Sequence, residues 1–238
     1  MFRSRVHAFL VALAASLGMV PAHAGSNSGF DVGVRLGYGL PFGPVSVVPR
    51  AAFPEVRDDY DMNNDFTGSL SPWVDLGYRF LPNLLAGVFF SDALVFVSNE
   101  KCPSPANCSA HDLRLGIQSQ YRIRPHERLD PWIGIGTGLE YLGQSGTLHD
   151  FLDPYDSWTT FAGVEFFNLQ GGLDLLATDR FAFGPFGTFS LAKFNSMSLT
   201  CNVAAVQAAG RPCPPGGDIH EKAFHEWLVL GLRAVYDP

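Results

Sequence analysis

Between residues 30 and 236 the chain carries eight segments in which apolar and polar residues alternate. The gaps between them run long, short, long, short, long, short, long. Strict alternation is the period of a strand with two unlike faces. Eight such strands joined in succession form an antiparallel meander. An open meander of that width leaves two edges with unpaired backbone groups, and closure into a barrel removes them. Tight turns at one rim and long loops at the other, with both termini on the short side, fit an up-and-down barrel.

The first segment, 30–40, puts Phe30, Val32, Val34, Leu36, Tyr38 and Leu40 on one face. Asp31, Gly33, Arg35, Gly37 and Gly39 fall on the other. The second, 70–80, sets Val74, Leu76, Tyr78 and Phe80 against Trp73, Asp75, Gly77 and Arg79. The third, 84–97, is more apolar and its phase is ambiguous, which suggests a bulge. The fourth, 113–123, alternates Leu113, Leu115, Ile117, Ser119, Tyr121 and Ile123 with Arg114, Gly116, Gln118, Gln120 and Arg122. The fifth opposes Ile133, Ile135, Thr137, Leu139 and Tyr141 to Trp132, Gly134, Gly136, Gly138 and Glu140. The sixth, 159–175, slips phase near Phe166 and Phe167, a second bulge signal, and carries Glu165, Asn168, Gln170 and Asp174 on its polar face. The seventh spans 181–194, and the eighth opposes Leu228, Leu230, Leu232, Ala234 and Tyr236 to His225, Trp227, Gly231 and Arg233. Long connections are expected over 41–66, 98–111, 143–158 and 195–221, and short ones over 81–83, 124–130 and 176–180.

Residues 1–24 read as a secretory signal peptide. Arg3 and Arg5 precede the apolar run 9–20, and Ala22-His23-Ala24 is a small-residue cleavage site. The run is shorter than the ~20 residues a spanning helix needs. Residues 25–238 are then one barrel domain. Of 16 Lys+Arg, the two in the leader leave 14 against 23 acids, a net charge of −9. An acidic chain without a basic run is a poor nucleic-acid binder.

The four cysteines form two close pairs, and both fall in long connections. Export favours disulfides, and proximity selects Cys102–Cys108 and Cys201–Cys213. Neither pair has the tighter spacing and histidine partners of a zinc site.

Alternation does not say which face is inside. A lipocalin-type soluble barrel has an apolar interior; a membrane barrel is inverted. Here the polar face is rich in glycine and in opposite charges, namely Asp31, Arg35, Asp75, Arg79, Arg114, Arg122, Glu140, Glu165 and Arg233. Such residues suit the narrow lumen of eight strands, where they form ion pairs and fill the space. The other face carries large aliphatic and aromatic residues. Tyr78, Phe80, Phe181, Phe183 and Tyr236 stand near the short-turn rim, as an aromatic girdle does. The expected fold is all-β, an eight-stranded antiparallel transmembrane β-barrel.

On these features the chain resembles the outer-membrane β-barrel families that include the OmpA transmembrane domain. The resemblance covers nearly all of residues 25–238 and implies residence in the cell outer membrane. Its partners are then outer-membrane lipid and lipopolysaccharide, with the barrel-assembly machinery during insertion. Members of the family end in a strand that this machinery reads. Gly231, Ala234 and Tyr236 occupy comparable positions, and Asp237 and Pro238 depart from the pattern by following the aromatic.

Three groups could carry further chemistry. The inward charges either plug the lumen or line an ion path, and the small bore favours a plug. Asp59, Asp61, Asn63 and Asp65 follow the opening of a calcium loop, but Asn64 holds its glycine position and Leu70 its bidentate glutamate position. A solvated acidic loop is the simpler reading, so no metal and no cofactor is expected. His225 with Ser196 or Ser198 could mimic the His–Ser pair of a lipid A deacylase, though no nucleophile motif supports it. The expected role is a non-enzymatic structural or surface-binding barrel. Beside it stand an outer-membrane lipid-modifying enzyme and a small OmpW-like channel for hydrophobic molecules, which would use an apolar lumen.

Overall fold

The computed structural model describes residues 29–46, 60–100, 102, 107–125, 127–149, 154–201, 217–219 and 222–237. The expected signal peptide, Asp59 and Cys213 lie outside the described residues, as does the side chain of Cys201.

Eight long strands close into one antiparallel barrel. They are β1 (Gly29–Phe42), β4 (Phe66–Leu81), β5 (Leu84–Val97), β6 (Asn107–Arg122), β7 (Leu129–His149), β8 (Pro154–Thr178), β9 (Phe181–Cys201) and β11 (Phe224–Tyr236). Neighbours pair in the order β9, β11, β1, β4, β5, β6, β7, β8, and the β8–β9 pairing closes the ring. Two short strands, β2 (Pro44–Ser46) and β3 (Tyr60–Asp61), pair with each other. With the one-turn helix α1 (Met62–Asp65) they lie between β1 and β4, and β10 (Gly217–Asp218) pairs with β9.

The register fixes the shape. The pairing runs from Val32 through Leu76, Val88 and Ile117 to Thr137, crosses a bulge to Phe167, and continues through Leu191 and Glu226. It regains β1 at Phe42, ten residues beyond Val32. That stagger requires strands tilted by roughly 35–45° to the barrel axis. The bulge expected at Phe166 and Phe167 is present: two residues of β8 face Thr137 alone, and the register shifts between Glu165 and Phe167.

Alternation becomes inside and outside. Arg35 on β1 is 3% exposed while its neighbour Leu36 is 53% exposed. Arg233 on β11 is 5% exposed beside Leu232 at 67%. The polar face therefore lines the lumen and the apolar face is the outer wall, the inverted arrangement of a membrane barrel. At the short-turn rim, Phe30 and Phe80 pack edge-on against Tyr78 at 5.1 and 5.0 Å between ring centroids, and Phe181 lies beside Phe183. A girdle of aromatics thus rings that end.

Two expectations need correction. β5 has no bulge within its run, for its pairing with β6 is unbroken from Leu84 to Val95. Its phase reads as ambiguous because Leu85, Phe89, Ala93 and Val95 point inward and are buried. They fill the lumen, and Phe89 stacks on Trp73 at 5.2 Å. The expected long gap 143–158 is likewise mostly strand. The β7–β8 ladder continues to the pair His149 and Pro154, through Gln144, Ser145 and Thr147, where no lipid imposes an apolar face. At the base of the β5–β6 connection, Cys102 and Cys108 form a disulfide with 6.0 Å between Cα atoms.

Glycines under the large lumen side chains are a packing requirement. A Cβ on Gly116 would stand 2.3 Å from the Thr137 carbonyl oxygen and 2.5 Å from the Phe89 ring. Gly116→Val should displace Phe89 from Trp73 and destabilise the barrel by about 1–3 kcal/mol, the usual cost of overpacking. The check is a lowered urea midpoint of the folded, fast-migrating gel species in detergent.

Candidate functional site: the charged lumen

Inward residues of a strand recur every second position, and eight tilted strands stack them into layers. A guanidinium in such a bore has lost its water and must find carboxylates and amides. Three groups of contacts do this.

Near the short-turn rim, Arg79 donates to both oxygens of Asp31 at 2.8 and 2.9 Å and to Asp237 at 2.6 Å. Arg122 pairs with Asp130 at 3.2 Å, and Arg233 donates to Asp174 at 3.0 Å and to Gln120 at 3.1 Å. Arg233 also lies 3.9 Å over the ring of Trp132, a close cation–π contact.

In the middle, Arg35 forks onto the two oxygens of Asp75 and reaches Gln170 at 2.8 Å and Gln118 at 3.2 Å. Gln118 donates back to Asp75 at 2.8 Å, and Gln170 donates to Gln118 at 3.0 Å. The Trp73, Trp132 and Phe186 rings each stand 5.5 Å from this guanidinium.

Toward the long-loop end, Arg114 gathers three carboxylates. Asp112 lies at 2.8 Å, Glu140 at 3.0 Å and Glu165 at 3.5 Å, with Ser190 Oγ at 3.0 Å. The other oxygen of Glu140 is 2.9 Å from His225 Nε2, and the His225 ring stacks on Phe194 at 4.2 Å. Glu140, Glu165 and His225 have no solvent exposure.

All nine charged residues expected inside are buried in these groups. Asp112, Asp130, Asp174 and His225 join them, although sequence reading does not count them in the charge network. Each stands on the polar face of its strand. Asp112 and Asp130 fall at the margins of the expected strands, where alternation fades.

On the long-loop side of Arg114 the described residues bring apolar side chains together inside the barrel. Met62, Phe66, Val95, Leu142, Phe161, Phe194 and Trp227 form one buried cluster, joined by Val97, Met197 and Ile219. Met62 comes from α1, which the chain folds over the opening. Asp61 caps this helix by accepting from the Asn63 amide, Met62 N donates to the Gly43 carbonyl at 2.9 Å, and Ser98 N donates to the Asp65 carbonyl at 2.8 Å. Of the calcium-loop candidates, Asp61 is thus a helix cap, Asn63 is exposed and Asp65 is buried. Among the described residues no three His, Cys, Asp or Glu side chains are placed to hold a metal.

His225 does not meet the serines expected beside it. It pairs across the sheet with Ala192, while Ser196 pairs with Asp218. Four residues of strand, about 13 Å at ~3.3 Å per residue, separate the two levels.

Comparison with solved structures places this architecture. A major outer membrane protein from Thermus thermophilus superposes with a TM-score of 0.55 at 10% identity, over 91% of this chain and 100% of that one. The outer membrane protein AlkL, solved in lipid bilayers, superposes with a TM-score of 0.51 at 14% identity, over 92% of this chain and 95% of that one. The chain therefore has the eight-stranded fold of outer-membrane β-barrels. No protein-family model and no curated protein matches its sequence.

The Arg114 group tests the energetics. Arg114→Met would leave three carboxylates in the bore without their shared cation, and breaking a buried pair costs about 3–5 kcal/mol. Leu115→Ala, one residue away but on the outer wall, should change stability far less. Urea titrations of both variants in detergent, compared at their midpoints, measure the difference.

Proposed function

We propose that this chain is an integral outer-membrane barrel that conducts nothing and works as a structural and surface-binding scaffold. The observation that carries this reading is the double closure of the bore. Salt-bridged layers fill it from the short-turn rim to Arg114, and the cluster around Met62 closes the mouth. The apolar outer wall beyond the aromatic girdle of the short-turn rim fits a bilayer. Outer-membrane lipid and lipopolysaccharide are then the partners of the wall, and the last strand, ending in Tyr236, is the element for the assembly machinery to read. The connections at the outer rim are left to meet ligands or other cells.

The rival readings meet specific obstacles. A channel for hydrophobic molecules needs an apolar path, and this lumen presents Arg35, Arg114 and their carboxylates instead. A lipid-modifying enzyme built on His225 needs that imidazole at the lipid-facing rim, and it is held inside between Glu140 and Phe194.

Three measurements test the proposal. The mature chain should fractionate with outer membranes and show a faster-migrating unboiled form on gels. In planar bilayers it should give no stable single-channel steps; regular steps would replace the scaffold by a pore. An altered lipid A mass in cells expressing the protein, lost with His225→Ala, would replace it by an enzyme.

A further inference from the structure

The charges of this barrel are partitioned. Inside, every strand-borne arginine has a carboxylate. On the outer wall, Lys193 is the single Lys or Arg among the described strand residues, and it has no carboxylate. Its ammonium lies 5.1 Å over the Phe224 ring, and Phe224 packs against Phe166 with 5.6 Å between centroids. Lys222, exposed, stands two residues before Phe224 on the loop side. Among the described residues neither lysine makes an ion pair. Among the described outward-facing residues of β11, the acidic neighbour is Glu226, one outward position deeper, opposite Leu191; Glu165, opposite Ala192, points into the lumen.

The level of Lys193 in the bilayer follows from the register. It stands twelve residues along β9 from Phe181 of the girdle at the short-turn rim. At ~3.3 Å per residue and a tilt near 40°, that is about 30 Å along the axis. The apolar band of such barrels is ~25 Å tall. Lys193 therefore sits at the outer-leaflet headgroups. A lipid-facing cation costs about 2–4 kcal/mol at the midplane but little at the interface. Lysine stems are long and flexible, so the two ammonium groups can converge on one anion beside Phe224.

We propose that Lys193 and Lys222, on either side of Phe224, bind the phosphate of an anionic lipid headgroup in the outer leaflet, with an acyl chain lying along Phe166. One unpaired cation over an aromatic floor, with a second exposed lysine two residues from that aromatic on the loop side, matches a phosphate joined to hydrocarbon at headgroup depth. The inference rests on the membrane reading above.

The test uses the full mature chain reconstituted into vesicles of phosphatidylcholine, with and without phosphatidic acid. Phosphatidic acid should raise the temperature at which the folded gel species is lost by a few degrees. The double variant Lys193→Gln, Lys222→Gln should lose that shift while keeping its midpoint in phosphatidylcholine, and Lys→Arg at both positions should retain it. Insertion without a shift, a shift that survives in the Gln variant, or an equal shift from inorganic phosphate overturns the lipid site alone. Failure to insert into either vesicle overturns the membrane reading, and the site with it.

Discussion

Everything in this barrel depends on the pairing of buried guanidinium groups with carboxylates across the lumen. Strand ladders tie each strand only to its two neighbours. The arginines tie strands that do not touch. Arg35 of β1 reaches beyond Asp75 on its neighbour β4 to Gln118 on β6 and Gln170 on β8. Arg233 of β11 holds Gln120 on β6 and Asp174 on β8. These are struts across the bore, and they fix register as well as shape. A one-residue slip would turn each strand's inward set toward lipid, where an unpaired arginine near the midplane costs about 2–4 kcal/mol. The wrong register is penalised several times over, because many charges fail together.

Aromatic rings and glycines complete the strut system. Three tryptophans, Trp73, Trp132 and Trp227, face guanidinium groups inside the lumen. Their bulk fits because glycines lie against them. A Cβ on Gly172 would stand 2.8 Å from the Trp132 indole, and one on Gly39 would stand 3.2 Å from Trp227. The glycine-rich polar faces are thus the moulds for the tryptophans on neighbouring strands. Composition alone gives both residue types without saying that they meet.

What is legible in the sequence is whatever the bilayer enforces. Along the lipid-facing wall most outward residues are apolar, so β1, β4, β6 and β11 announce themselves by period two. The inward charges are legible for the same reason. Legibility stops where the bilayer stops. β7 and β8 continue as a paired ladder beyond Tyr141, but with Gln144, Ser145 and Thr147 the alternation ends, and the segment reads as loop. It fails again where the lumen is apolar, as on β5, because Phe89 and Leu85 are hydrophobic on the inside. The cap around Met62 leaves no signal, since a four-residue helix has no periodicity and its partners come from separate elements along the chain.

The partition of charge limits where this protein can act. Each lumen arginine has a carboxylate partner, and the apolar cluster around Met62 packs at the long-loop end of the bore. What remains is the outer wall and the long-loop rim. On the wall the charged exceptions toward the long-loop end include Lys193 over Phe224, Glu226 one outward position deeper on β11, and Asp92 with His111 at 3.4 Å on the opposite side. The physical economy of the fold, with charge paired inside and nearly absent outside, is what makes the exceptions at the headgroup level informative about partners.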